Sequence, residues 1–254
     1  LASSVAYYAL LSVFPLVLLG TAVAASFLDE AQIRAGLAAA LTTYLPPEAA
    51  EAVQRTVAET VRVRRPAGLL ALLVFLWSGS AAAGAVRHAL NRLLGVTAAR
   101  PFWRRKLVEL GATLLFAALL GASLSLAVAR AVLVRLAPQL GPHVARLLPE
   151  VEALGRLGPP LFGLLTFALA YRILPARRLP WRPLAAGALA AAALFEVARA
   201  VAFRALAGFA RYELVYGSLA GAIVFLVWVY AAALILLVGA AVAVCAAREG
   251  RGPA

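Results

Sequence analysis

Several residue types are nearly missing, and each absence narrows what the chain can be. Cys245 is the single cysteine, which excludes a disulfide framework and a thiolate zinc site. It reads as a small buried apolar residue near a helix end. There is no methionine and the chain opens at Leu1, so a natural start and a cytoplasmic N-terminal segment are expected ahead of it. No basic stretch precedes the first apolar run, which argues against a cleavable signal peptide despite the small residues Ala24-Ala25-Ser26. No Walker motif is present, so any transport would draw on a gradient, a partner protein or the substrate's own concentration difference. Lysine occurs once against twenty-three arginines, a bias of high-GC genomes that carries no mechanism.

What is abundant is apolar. Hydrophobic residues make up 64% of the chain and the mean hydropathy is +0.92, whereas a soluble domain is roughly half apolar. A bilayer core about 30 Å thick needs about 20 apolar residues in a helix. Runs of that length recur at roughly 5–28, 67–90, 108–134, 158–175, 184–208 and 215–244. The expected fold is therefore all-α: one polytopic domain over residues 1–254 with six transmembrane helices and no room for a soluble catalytic domain.

Charge orients these spans. The formal net charge of +13 would suggest nucleic acid on a soluble protein, but its distribution follows the loops instead. Arg87, Arg92, Arg100, Arg104, Arg105 and Lys106 form an acid-free basic stretch, and Arg172, Arg177, Arg178 and Arg182 form a second. With six crossings both lie on one side, which the positive-inside rule makes cytoplasmic, together with both termini. The opposite loops 29–66, 135–157 and 204–214 carry ten basic residues diluted by eight acidic ones. Arg62, Arg64 and Arg65 fall on that outer side, against the trend. The cationic and aromatic run Pro101-Phe102-Trp103-Arg104-Arg105 suits an interface with anionic lipid headgroups, the expected partners. No specific nucleic-acid partner is expected.

Polar residues inside the spans are the candidate functional groups. Ser4, Tyr8, Ser12 and Pro15 share a face of the first span, which should turn away from lipid. The outer loop 29–66 reads as a pair of amphipathic helices broken at Pro46-Pro47. In the second span Trp77, Ser80, Gly84, Arg87 and Asn91 share a face, and Gly79 to Gly84 are all small. Arg87 lies close enough to the cytoplasmic end to snorkel. Glu109 and Arg130 flank the third span as headgroup anchors, and 135–157 reads as an ordinary external connection before Gly158-Pro159-Pro160 opens the fourth span. In the fifth span Glu196 and Arg199 stand one turn apart, where a charge costs about 2.5–3.5 kcal/mol on insertion scales. Tyr212, Tyr216 and Ser218 cluster near the outer mouth. Gly217 and Gly221 have the spacing of close helix contact, within the bundle or across a homo-oligomer interface.

Several of these segments together resemble the YihY/BrkB family of bacterial inner-membrane proteins, once labelled ribonuclease BN. The resemblance rests on the run Ala6 to Pro15, Leu76-Trp77-Ser78-Gly79-Ser80 through Asn91, and Pro101-Phe102-Trp103-Arg104-Arg105. It continues with Leu179-Pro180-Trp181-Arg182, Phe195-Glu196-Val197-Ala198-Arg199 and Tyr212 with Val215-Tyr216-Gly217-Ser218-Leu219. The family implies six spans in the bacterial inner membrane and no settled activity. Phosphodiester hydrolysis needs a cluster of metal-holding or acid–base groups. His88 and His143 are expected on opposite sides of the membrane, and no acidic cluster lies on the cytoplasmic face. Ribonuclease activity is thus not expected, nor are catalytic residues, a metal or a cofactor. The expected function is transport or translocation of a lipid or other anionic amphiphile through an internal cavity lined by Ser80, Arg87, Asn91, Glu196, Arg199, Tyr212, Tyr216 and Ser218. The alternative is a structural or adaptor membrane protein whose polar core only holds the bundle together.

Overall fold

A computed structural model describes residues 2–12, 50, 51, 54, 67–96, 101–136, 142–177, 179–206 and 219–249. All elements among them are helical. They are α1 (residues 2–12), α2 (Ala67–Leu93), α3 (Phe102–Leu136), α4 (Pro142–Ile173), α5 (Trp181–Leu206) and α6 (Leu219–Glu249). The amphipathic loop 29–66 lies almost wholly outside the described residues, as do Pro15 and Gly217.

Helix ends follow local chemistry. Gly95 adopts a left-handed backbone, φ 62°, just past α2. Its N–H reaches the Arg92 carbonyl at 3.3 Å and the Val96 N–H reaches Asn91 at 2.9 Å, a Schellman closure that a side chain at position 95 would strain. Pro101 and Pro180 precede α3 and α5, where their carbonyls accept from Arg105 at 3.0 Å and Leu184 at 3.1 Å. Helix α4 begins at a proline, whose missing N–H is harmless in a first turn.

Helix α4 corrects one expectation. The stretch expected as an external connection is helical from Pro142 onward and runs without a break through Gly158-Pro159-Pro160. Its 32 residues span about 48 Å at 1.5 Å per residue, so the apolar part from Leu157 to Ile173 is only its second half. The leucines, alanines, arginines and glutamates between the prolines are good helix formers, and each proline removes only its own donor.

Pairwise packing closes a ring: α2 lies against α3, α3 against α4, α4 against α5, α5 against α6, and α6 against α2. The contact between α5 and α6 is the most extensive. Gly187, Ala188 and Ala191 of α5 meet Gly239, Ala240 and Ala243 of α6, and small side chains let the backbones approach. A Cβ on Gly239 would fall 2.6 Å from Ala191 Cβ and 2.7 Å from the Gly187 carbonyl oxygen. The Tyr171 hydroxyl donates to the Leu236 carbonyl at 2.6 Å, joining α4 to this seam. Tyr171, Leu90, Leu174 and Leu184 fill the centre at the end that carries the connections after α2 and α4. Beside them Phe167, Phe195 and Trp228 form an aromatic layer with centroid distances of 6.2 Å and 5.4 Å.

Helix α1 packs over α2 and α6 through Ala2, Val5 and Ala6, against Ala89 and Ala233. The polar face expected to turn away from lipid is described at Ser4, Tyr8 and Ser12. Ser4 and Tyr8 are exposed, because the small apolar face fits the neighbouring alanines more closely. Ser12 satisfies its own hydroxyl by donating to the Ala9 carbonyl at 2.8 Å. Cys245 is also exposed rather than buried, since Val242, Cys245 and Arg248 share the outward side of α6.

Outward surfaces are strongly apolar: Leu73, Leu107, Leu161, Val201 and Val227 are all exposed. Three helical stretches among the described residues, Phe102–Ser123, Trp181–Arg204 and Ile223–Arg248, are long and apolar enough to cross a membrane. An apolar exterior over a packed small-residue interior is the arrangement of an all-α membrane protein.

Candidate functional site

Helices α2 and α3 meet along a polar seam. Ser80, fully buried on α2, donates its hydroxyl to the Trp77 carbonyl at 2.9 Å and accepts from Lys106 Nζ at 2.8 Å. Using both functions of the hydroxyl fixes the ammonium of α3 against the middle of α2. Two turns further along α2, Arg87 Nε donates to Glu109 Oε1 at 3.0 Å. Glu109 lies one turn after Lys106 on α3, and Lys106 Nζ stands 3.9 Å from its other carboxylate oxygen.

Glu109 is buried, with 8% of its side chain accessible. The expected anchoring role at a headgroup is thereby corrected: a cation from the neighbouring helix compensates the carboxylate within the bundle, so it does not need to reach water. Room for it comes from Gly84, where a Cβ would stand 3.1 Å from Glu109 Oε1. Thr113, one turn beyond, donates to the Glu109 carbonyl at 2.8 Å and sits against Gly79. Two cations face one carboxylate, so the cluster carries an excess positive charge.

Asn91 belongs to the same face of α2 but serves a different contact. Its side-chain oxygen accepts from the Ala176 N–H at 2.8 Å, tying the end of α2 to the connection between α4 and α5. Arg172 braces that connection from the other side by donating to the Leu179 carbonyl at 3.1 Å, with its guanidinium 5.4 Å over the Trp181 ring. Arg105 stands likewise 5.2 Å over Phe102. Phe102, Trp103 and Trp181 are exposed at this end of the ring, where aromatic and cationic side chains suit a membrane interface. Trp77, expected on the polar face with Ser80, is 71% exposed and contributes only its carbonyl to the seam.

Glu196 and Arg199 pair with each other one turn apart on α5, both half-buried. They lie beyond the aromatic layer of Phe195, and Glu196 is about 22 Å along the helix from Trp181. The expected site residues therefore fall into groups. Ser80 and Arg87 share the α2–α3 cluster with Lys106 and Glu109; Asn91 holds a connection; Glu196 and Arg199 form their own pair on α5. Tyr212, Tyr216 and Ser218 lie outside the described residues. Lys106 and Glu109 were missed as cluster members. Their one-turn spacing and the small residues of α2 opposite them were the available signals.

Comparison with known proteins adds kinship to this geometry. Residues 1–253 match the family described as virulence factor BrkB. The chain belongs to the BrkB family. BrkB-type relatives include a UPF0761 membrane protein of Halorhodospira halophila, 28% identical over 249 residues, which cover 95% of this chain and 52% of the relative. Another from Alteromonas mediterranea is 26% identical over 246 residues, 94% of this chain and 79% of that protein. A third from Nitrosospira multiformis is 29% identical over 248 residues, 96% of this chain and 56% of that protein. The chain thus spans about half the length of the first and third of these relatives. No solved structure matches it. All three relatives are described as membrane proteins, in agreement with the apolar exterior of the BrkB bundle.

Proposed function

We propose that this chain translocates an anionic amphiphile, a lipid or lipid-linked molecule, across the bacterial inner membrane, with both termini in the cytoplasm. The observation that carries the reading is the α2–α3 cluster, in which Arg87 and the accessible Lys106 outnumber the buried Glu109. Charge in a membrane interior is costly enough that unbalanced charge there is a functional candidate by default. Guanidinium and ammonium donors match phosphate oxygens, and the exposed tryptophans and arginines nearby suit gathering of headgroups at the same end. The Glu196–Arg199 pair on α5 supplies a second charged station at another depth. No bond is made or broken in this reading, and the chain is taken as no enzyme.

One observation favours the alternative, a structural or adaptor role: the charged groups pair with one another, as in a lock between helices. Lipid identification by native mass spectrometry separates the two. The translocation reading expects a defined anionic lipid retained by the wild type and lost by a folded Arg87→Ala, Glu196→Gln variant. The same bulk lipid in both proteins would favour the adaptor.

A further inference from the structure

The one carboxylate in the α2–α3 cluster belongs to the chain itself, and it is held in an unusual way. An arginine–carboxylate pair is commonly bidentate. Among the described residues, Arg87 gives Glu109 only its Nε, one of five guanidinium N–H donors. Lys106 gives Glu109 no hydrogen bond, since its short contact is to Ser80 Oγ at 2.8 Å while the carboxylate stays 3.9 Å away. The carboxylate lies close against α2, with hypothetical Cβ distances from Gly84 of 3.1 Å to Oε1 and 3.3 Å to Cδ. Access is graded across the cluster, with 39% of the Lys106 side chain accessible against 17% for Arg87 and 8% for Glu109.

We propose that Glu109 is a resident stand-in for the phosphoryl group of an anionic ligand, and that ligand binding is an exchange of anions. The inference rests on the translocation reading and specifies its substrate chemistry. A phosphoryl group arriving on the Lys106 side meets the ammonium first, kept in place by the Ser80 hydroxyl. It then takes the Arg87 donors that Glu109 leaves unused and displaces the carboxylate. A carboxylate held by one hydrogen bond among the described residues offsets only part of the charge of the two cations in the unliganded state, and yields to an anion with more acceptor oxygens. Glu109 thus sets affinity by competition, so neutralising it should tighten binding.

The test measures phosphatidylglycerol retention by native mass spectrometry on protein released from nanodiscs of phosphatidylcholine with graded phosphatidylglycerol. Glu109→Gln should retain about tenfold more phosphatidylglycerol than the wild type, the effect of freeing one charge-assisted hydrogen bond, and Lys106→Gln several-fold less. A parallel titration with inorganic phosphate distinguishes sources: a gain there as well assigns the site to free phosphate, and a gain confined to phosphatidylglycerol assigns it to the lipid headgroup. Unchanged or reduced retention of both probes by folded Glu109→Gln overturns the proposal. Should that variant not fold, Lys106→Gln decides alone, and unchanged retention overturns it. Loss in Arg87→Gln without gain in Glu109→Gln overturns the stand-in role but leaves the translocation reading in place. No change in any variant overturns both.

Discussion

Arg87 Nε lies 3.0 Å from Glu109 Oε1, and this contact helps to join α2 and α3 through a buried ion pair inside an apolar bundle. Breaking a buried pair from one side leaves an uncompensated charge, which costs about 3–5 kcal/mol. Arg87→Met is therefore expected to lower unfolding stability in detergent by about that amount. The double change Arg87→Met, Glu109→Leu should recover most of it, as measured by thermal or denaturant unfolding of all four members of the cycle.

The α5–α6 seam gives a second expectation. An alanine at Gly239 would place a Cβ 2.5 Å from the Tyr171 hydroxyl and 2.6 Å from Ala191 Cβ, so Gly239→Ala should destabilise by about 1–3 kcal/mol through overpacking. At Gly111 and Gly163 nothing lies within 4 Å of the added carbon. Alanine there should be neutral or stabilising by up to about 1 kcal/mol, because glycine is the poorer helix former. Unfolding midpoints of the three variants check the contrast.

Much of this was legible in the sequence and some was not. The apolar runs announced an all-helical membrane protein, and the small residues from Gly79 to Gly84 announced close packing along α2. What no single-chain periodicity carries is the register between helices. Glu109 looked like an anchor because its distance from the start of α3 suited one; only the placement of Gly84 and Arg87 opposite it made it a buried partner. The tight seam runs through Gly187-Ala191 and Gly239-Ala243, pairs with the same small-xxx-small spacing as Gly217 and Gly221, and spacing alone does not rank them. The continuous α4 was hidden because prolines read as breaks, although helix formers fill the intervals between them.

Asn91 should act on the connection it holds. Removing its side-chain oxygen leaves the Ala176 N–H without that acceptor, at a cost of about 1–3 kcal/mol. Asn91→Ala should speed amide hydrogen exchange at Ala176 and its neighbours while leaving the α5–α6 seam protected. Equal exchange in both proteins would remove the tether from the account.

The single cysteine offers a test of orientation without mutation. Cys245 is exposed near the end of α6, three residues before Arg248. With the C-terminus in the cytoplasm, a membrane-impermeant maleimide should label it in inverted membrane vesicles and not in intact spheroplasts. The opposite pattern would reverse the topology drawn from the basic loops.

The most direct measurement is translocation itself. Purified protein is reconstituted into phosphatidylcholine vesicles carrying a fluorescent phosphatidylglycerol, and dithionite quenching reports lipid reaching the outer leaflet. Wild-type protein should move the labelled lipid faster than protein-free vesicles, and Arg87→Gln and Lys106→Gln, still folded, should fall at least about tenfold toward the background, the worth of one charge-assisted contact. Wild-type rates equal to protein-free vesicles, or unchanged in both variants, would contradict the assignment of anionic amphiphile translocation to the α2–α3 cluster.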